Sequence, residues 1–399
     1  MKKGKRLLSV LLATLTVAAS FLYCGVGSFA ESSGGFAYSV RSDGSAKITK
    51  YTGSEESVEI PSSIGERSVT EIGEKAFYGC PTLKSVVIPQ SVKQIGAYAF
   101  ADCANLSLVS ICDGVETIGN SAFAYLPRLN GITLPESLRS IGYAAFFGCP
   151  SVTSVEIPAE TEQIGELAFG YGYIEGSEQM TKYSSLEIAS ANGTAAKAYA
   201  EENGFVFRCN WFPDVPYGEW YFAAVKYNVK KGYFHGYGSG YFGIADNIQR
   251  QDFIVVISKI AGADLTPYQG QNGGMSDVPI GEYYSAAVAW GVDNGIIQGY
   301  QHGGFGVGNP VTREQVCMIL RNYIKNYVGA DVSTSKSSDE LLAPYTDKTS
   351  VSDWAVQSVA WAVDNKIIGN NSATLNPAGN VNRATTAQII YNMSTGGLI

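Results

Sequence analysis

Three arginines, Arg250, Arg313 and Arg383, recur at intervals of 63 and 70 residues, and three aspartates, Asp214, Asp277 and Asp347, recur at the same intervals. An aromatic residue follows each aspartate, at Trp220, Tyr283 and Trp354. Gly236 and Gly299 hold matching places in the glycine-rich middles of the first two copies. Arg313 lies in the segment VTREQ, where Thr312 and Gln315 have the spacing of a capping box and make Arg313 the first helical residue. Asn382 caps the third copy in the same way, and Gln249 with Asp252 is a weaker version. A cation in the first turn opposes the helix dipole, so helix stability alone does not place arginine there three times. Bound anions reverse that sign: free N–H groups plus a guanidinium form a compact carboxylate or phosphate site, worth about 1.5–3 kcal/mol per charge-assisted bond. The competing reading pairs each arginine with an internal aspartate.

The elements that must position these residues are legible from periodicity. Apolar residues fall 3, 6, 7 and 10 places after each arginine: Phe253, Val256, Ile257, Ile260; Val316, Ile319, Leu320, Tyr323; Thr386, Ile389, Ile390, Met393. That is one face of a helix. A shorter helical pattern follows each aromatic, as in Ala224, Val225, Val229 and Ala287, Val288, Val292. Three such units predict packing about a pseudo-threefold axis. The openings FPDV and MSDV, the WYFAAV and YYSAAV helices and the TREQ box resemble the surface-layer-homology family over residues 211–396. The resemblance implies binding of a secondary cell-wall polymer through a pyruvylated amino sugar, its carboxylate meeting Arg250, Arg313 and Arg383, with Trp220, Tyr283 and Trp354 either lining the grooves between copies or packing in the core. The third copy departs from the pattern, with YTDK at its opening and NRAT at its box, so the third groove is expected to bind least well.

A different repeat occupies the N-terminal half. IGEKAF, IGAYAF, IGNSAF, IGYAAF and IGELAF recur every 23 residues, alternating with LKSVVIP, LNGITLP and VTSVEIP; Cys112 replaces the proline in LSLVSIC. The alternating run predicts a half-buried strand ended by proline, and the IGxxAF block a short helical turn. Neither buries its apolar side alone, so the copies must stack around the five block isoleucines and five block phenylalanines. At ~4.8 Å per strand the stack is about 25 Å long. The pattern resembles the bacterial leucine-rich-repeat family of the BspA type over residues 36–208. A last strand at LEI and a helix capped by Thr194 then close the open end, and 170–183 is expected to be a loop. Cys80, Cys103 and Cys149 share one repeat position with Leu126, the place of a small buried hydrophobe. Pairing of Cys80 with Cys103 requires their side chains to converge. The outward strand positions Glu59, Val87, Ser110, Thr133, Glu156 and Glu187 form a weak candidate partner face, small or acidic and without an aromatic or arginine anchor.

Composition bounds the rest. Residues 1–30 read as a secretory signal, with Lys2, Lys3, Lys5 and Arg6 before an apolar stretch and cleavage expected after Ala30; a retained anchor is the alternative, and lipidation at Cys24 lacks a lipoprotein box. The formal charge is −8, or −12 without the signal's four cations, which disfavours nucleic acid. His235 and His302 are the only histidines and occupy non-equivalent loops, and no GxSxG, HExxH or phosphate-loop motif is present, so no enzyme, metal or cofactor is expected. A choline-binding module is excluded by the repeat length. The expected fold is mixed: a signal at 1–30, a solenoid of short strand plus short helix at 31–208, then α-rich repeats at 209–265, 272–330 and 343–399 forming a pseudo-threefold trimer. The expected function is a bacterial cell-wall protein held non-covalently on a secondary polymer, displaying the solenoid for protein or glycan adhesion. A spacer role is the alternative.

Overall fold

The computed structural model describes residues 35–399 apart from 175, 302 and 371. The expected signal, with Cys24, and His302 lie outside the described residues. The chain divides between Trp211 and Phe212 into two compact units, an N-terminal β-solenoid of about seven turns and a C-terminal helical unit.

Two parallel ladders wall the solenoid. One runs Arg67–Ile72, Gln94–Ile95, Thr117–Ile118, Ser140–Ile141 and Gln163–Ile164, each strand one turn on from the last. The other runs Ser57–Glu59, Ser85–Ile88, Leu108–Ile111 and Gly131–Thr133. Between them the block phenylalanines stack as a column, with centroids of Phe77, Phe100, Phe123, Phe146 and Phe169 4.7, 5.1, 5.2 and 4.6 Å apart. All five rings are fully buried. Phe36 and Tyr51, on the antiparallel pair Phe36–Val40 and Ala46–Tyr51, close the first end of the column. At the far end lies helix α1, Ala195–Asn203, where the Thr194 hydroxyl accepts from the Lys197 amide. Tyr199 on α1 seals the column by exchanging hydrogen bonds with both the N–H and the C=O of Phe169 (3.0 and 2.9 Å).

The IGxxAF block is not the short helix its spacing predicts. Alternate amides reach outward to the next turn: Lys75 to Ala97 O, Phe77 to Ala99 O and Gly79 to Ala101 O, with the same pattern repeated down the stack. A helix would keep those bonds within its own segment. Lys75, Tyr98, Ser121, Ala144 and Leu167 all adopt left-handed backbone (φ 51–59°), which breaks any right-handed helix at that position in every turn. The glycine of each block is required by close approach, since a Cβ at Gly96, Gly119 or Gly142 would lie 2.6–2.8 Å from backbone of the preceding turn. The segment expected to be a loop contains a hairpin, Tyr171–Tyr173 antiparallel to Met180–Lys182. Cys103 and Cys149 are buried in one repeat position, each thiol donating to a phenylalanine carbonyl of an earlier turn.

The helical unit contains α2 (Phe222–Lys230), α3 (Arg250–Ile260), α4 (Ser285–Asp293), α5 (Arg313–Asn322), the short α6 (Ser338–Leu342), α7 (Val356–Asp364) and α8 (Arg383–Thr395). The first helix of each copy packs on the second helix of another: α4 on α3, α7 on α5, and α2 on α8. At the centre three equivalent residues bond in a closed circle, Ile248 N–H to Val381 O, Val381 N–H to Val311 O, and Val311 N–H to Ile248 O, at 2.9–3.0 Å. This ring is the expected pseudo-threefold axis.

Candidate functional site

The arginines begin their helices as the sequence predicts. Thr312 and Gln315 complete a reciprocal capping box, and Asn382 accepts from the Thr385 amide; Gln249 makes no side-chain cap. The helix-start amides, however, are not free for an anion. Arg250 N–H donates to Asn309 O, Arg313 N–H to Gly379 O and Arg383 N–H to Asp246 O, so each helix start is bonded to a different copy.

The guanidinium groups follow the same circle. Arg250 Nε donates to Phe305 O (3.0 Å), Arg313 Nε to Leu375 O (2.7 Å) and Arg383 Nε to Phe242 O (2.8 Å). The amides of those three residues donate to Asp277, Asp347 and Asp214 in turn, at 2.5, 2.8 and 2.9 Å. One loop residue thus links the arginine of one copy to the aspartate of another. Among the described residues no ion pair joins these arginines to a carboxylate, so the direct arginine–aspartate pairing expected as the alternative is not formed; the two are linked only through an intervening loop residue. The aspartates, expected as ligand contacts, are occupied with their own loops: Asp277 also accepts from Gly306 and Val307, Asp214 from Gly243 and Ile244. Burial raises the Asp277 pKa, but the amides of Phe305, Val307 and Gly306 outweigh it and hold the carboxyl below its usual value. Gly236 and Gly299 are likewise close-approach positions, where a Cβ would strike Phe212 (2.1 Å) and the Met275 sulfur (2.6 Å).

The three arginines are not equivalent. Arg250 is 3% exposed, its Nη1 donates to Gln315, and it lies over the Tyr300 and Phe305 rings at 5.0 and 4.9 Å. Burial lowers its pKa. It differs from the expected ligand contact because it is buried, with Nε and Nη1 both bonded to copy two. Arg383 is half-buried over Phe234, Tyr237 and Phe242 and donates from Nη2 to His235 O. Arg313 is half-buried too, yet Leu375 and Asn370 replace the aromatics found in the other loops. Its Nη atoms donate to no described residue. The departures of the third copy therefore fall on Arg313, the guanidinium that this loop receives, rather than on Arg383.

Trp220, Tyr283 and Trp354 are 60, 67 and 52% exposed, which settles against core packing. Each precedes the first helix of its copy, and two of them stand near the box of another: Tyr283 O–H donates to Asp252, and Ser352, two residues before Trp354, is held by both oxygens of Glu314. A groove of about 290 Å³ lies between α5 and α7, lined by Gln298, Met318, Arg321, Asp353, Trp354 and Gln357. Arg321 Nε is buried there with no hydrogen-bond partner among the described residues. The helical pattern carried a signal for Arg321 that was not used, because it lies eight residues, just over two turns, beyond Arg313.

On the solenoid, Val87 and Ser110 pair in register with Glu59 and Thr133. Glu187, expected to extend this row, aligns with Ser154 instead, and Glu156 with Ala189. Both glutamates are engaged by the last strand, Glu187 by Arg208 Nε (2.5 Å) and Glu156 by Asn210 Nδ2 (2.7 Å).

Residues 47–175 match the BspA type leucine-rich-repeat region in six copies, and residues 212–254, 274–317 and 344–387 each match the S-layer homology domain. Exoglucanase XynX of Acetivibrio thermocellus is 32% identical over 149 residues, 37% of this chain and 13% of that protein. Cell surface glycoprotein 1 of the same species is 23% identical over 40% of this chain and 7% of its own length. The chain thus spans only a small part of these relatives. Among solved structures, the T. pallidum leucine-rich-repeat protein TpLRR is 32% identical, with a TM-score of 0.36 over 40% of this chain and 71% of that one. A leucine-rich-repeat protein from Bacteroides ovatus is 29% identical, with a TM-score of 0.34 over 41% of each chain. S-layer homology domains indicate anchoring at the bacterial cell surface and leucine-rich repeats an interaction module, and neither domain type is catalytic. With its N-terminal unit matched by one model and its C-terminal unit by the other, the chain contains a BspA type leucine-rich-repeat region followed by three S-layer homology domains.

Proposed function

We propose that the helical unit holds this chain non-covalently on an acidic secondary cell-wall polymer while the solenoid is displayed for adhesion. The observation that carries the reading is the groove between α5 and α7, where exposed Trp354 offers a ring face and Arg321 an unpartnered buried N–H. A flat aromatic beside a cation suits a sugar ring bearing a carboxylate, as a pyruvyl ketal does. Arg313, with free Nη donors, is the second cation of copy two. Arg250 serves this site indirectly by fixing the joint between copies one and two. Several weak sugar contacts on one rigid unit give firm retention, because each later contact on the same polymer is effectively intramolecular.

The test is co-sedimentation of the purified chain with peptidoglycan sacculi, before and after mild acid removes the secondary polymer. Retention is expected only while the polymer is present. Equal retention on stripped sacculi counts against an acidic polymer as the ligand.

A further inference from the structure

Cys80, Cys103 and Cys149 hold one place in the repeat, and the backbone there is alike in every turn. The residue before it, Gly79, Asp102, Tyr125 or Gly148, is left-handed, with φ of 66, 61, 58 and 74°. Side chains at this place therefore leave successive turns in the same direction, one above the next. Cys103 Sγ donates to Phe77 O at 3.0 Å, the same carbonyl that accepts from the Cys80 amide at 3.3 Å. The Cys103 sulfur is thus turned onto the preceding turn, at the position of Cys80. Cys149 makes the same reach, to Phe123 O at 3.2 Å, but the residue below it is Leu126. Among the described residues, the step from Cys80 to Cys103 is the one place in the stack where a cysteine reaches onto a cysteine.

The separation of the two turns suits a covalent bond. Phe77 N–H donates to Ala99 O (2.7 Å) and Gly79 N–H to Ala101 O (2.9 Å), which sets these segments at the ladder spacing of about 4.8 Å. A disulfide spans Cα–Cα distances of roughly 4.4–6.8 Å. The two thiols differ in access: Cys103 is fully buried, whereas Cys80 is partly exposed at the rim of the core. The neighbouring Cys103 side chain also lowers the Cys80 pKa to about 7, so Cys80 is the better nucleophile at neutral pH. A metal site needs more donors, and among the described residues no group of three or more His, Cys, Asp or Glu side chains is placed to hold an ion. Core packing accounts for Cys103 as it does for Leu126 and Cys149, but not for a partly exposed, acidified thiol at Cys80.

We infer that Cys80 and Cys103 form a redox-active dithiol, which closes to a disulfide stapling the Phe77 turn to the Phe100 turn with a small-molecule disulfide as oxidant. The Cys80 thiolate attacks one sulfur of the oxidant, forming a mixed disulfide and expelling a thiolate. Cys103 then attacks Cys80 Sγ: the Cys80–Cys103 bond forms, the mixed disulfide breaks, and the second half of the oxidant leaves as a thiol carrying the Cys103 proton. The protein loses two electrons and the small disulfide gains them. Disulfides persist in oxidising surroundings, and the S-layer homology domains indicate a place at the cell surface.

The experiment treats the purified, fully reduced chain with cystine in native buffer, blocks the remaining thiols with iodoacetamide and maps the peptides by mass. A linked Cys80–Cys103 peptide is expected, with Cys149 left as a free thiol. The closed form is expected to melt about 5–10 °C above the reduced form, because the bond closes a loop one repeat long. Cys103→Ser is expected to stop at the mixed disulfide on Cys80, and Cys80→Ser, altered at a partly exposed position, to leave Cys103 unreacted. Each variant is first shown to melt as a folded protein. A wild-type chain that stops at the mixed disulfide, leaves Cys80 unreacted, links Cys80 to a different cysteine or closes only in urea overturns the inference. A closed form that melts no higher than the reduced one overturns the staple.

Discussion

At the residue scale, the three box arginines have a structural use that needs no ligand: each donates to a loop carbonyl of a different copy, and the amide of that same residue is held by an aspartate. This resolves the opposition to the helix dipole, because the guanidinium points away along the interface rather than along its own helix. Two substitutions separate strut from ligand contact. Arg250→Ala removes two charge-assisted bonds and two ring contacts from a buried site, and is expected to cost about 3 kcal/mol or more in urea unfolding. Arg313→Ala removes one such bond from a half-buried site and is expected to cost about 1–1.5 kcal/mol. Equal costs would contradict the assigned inequality. A second residue-scale prediction concerns Cys80, where the neighbouring Cys103 side chain lowers the pKa to about 7, whereas Cys103 is raised. Burial pushes Cys149 up to about 12. The thiolate of Cys80 is therefore lost below pH 7 and present above it. Iodoacetamide labelling followed by peptide mass mapping should show Cys80 reacting first, at a rate rising through pH 7, with Cys103 and Cys149 unlabelled in the folded chain.

At the element scale, the 23-residue period fixes what must stack, and the phenylalanine column is where the expectation and the structure agree most closely. Phe123 lies in the middle of the column, 5.1 and 5.2 Å from its neighbours. Phe123→Ala is expected to destabilise the solenoid by about 3–5 kcal/mol, read as a lowered urea midpoint, because the cavity cannot collapse between two flanking turns. Other features were hidden because apolar spacing does not report backbone hydrogen bonding. IGxxAF has the spacing of one helical turn, yet its amides serve the next turn and its fourth residue is left-handed. The hairpin at Tyr171–Tyr173 and Met180–Lys182 was likewise invisible, being a departure from the repeat with no pattern of its own. In the helical unit the helices, caps and threefold arrangement were legible. The exchange between copies was not, since a sequence repeat says which residues are equivalent but not which copy receives them. That is why the altered loop of copy three bears on Arg313.

At the scale of the molecule, the two units expose different chemistry. The helical unit presents exposed aromatics with cations beside them, and the solenoid presents tyrosines with carboxylates and amides. Among the described residues no helix is long and apolar enough to cross a membrane. If the helical unit holds an acidic polymer as proposed, its affinity should fall as salt rises, because exposed charge contacts are screened. The most direct measurement is co-sedimentation with polymer-bearing sacculi of the wild-type chain, Trp354→Ala and Arg321→Met, each first shown to melt as a folded protein. The account predicts that both substitutions release the chain into the supernatant, with the largest loss at Trp354. Wild-type retention in both variants would contradict it and assign the groove between α5 and α7 no part in holding the wall.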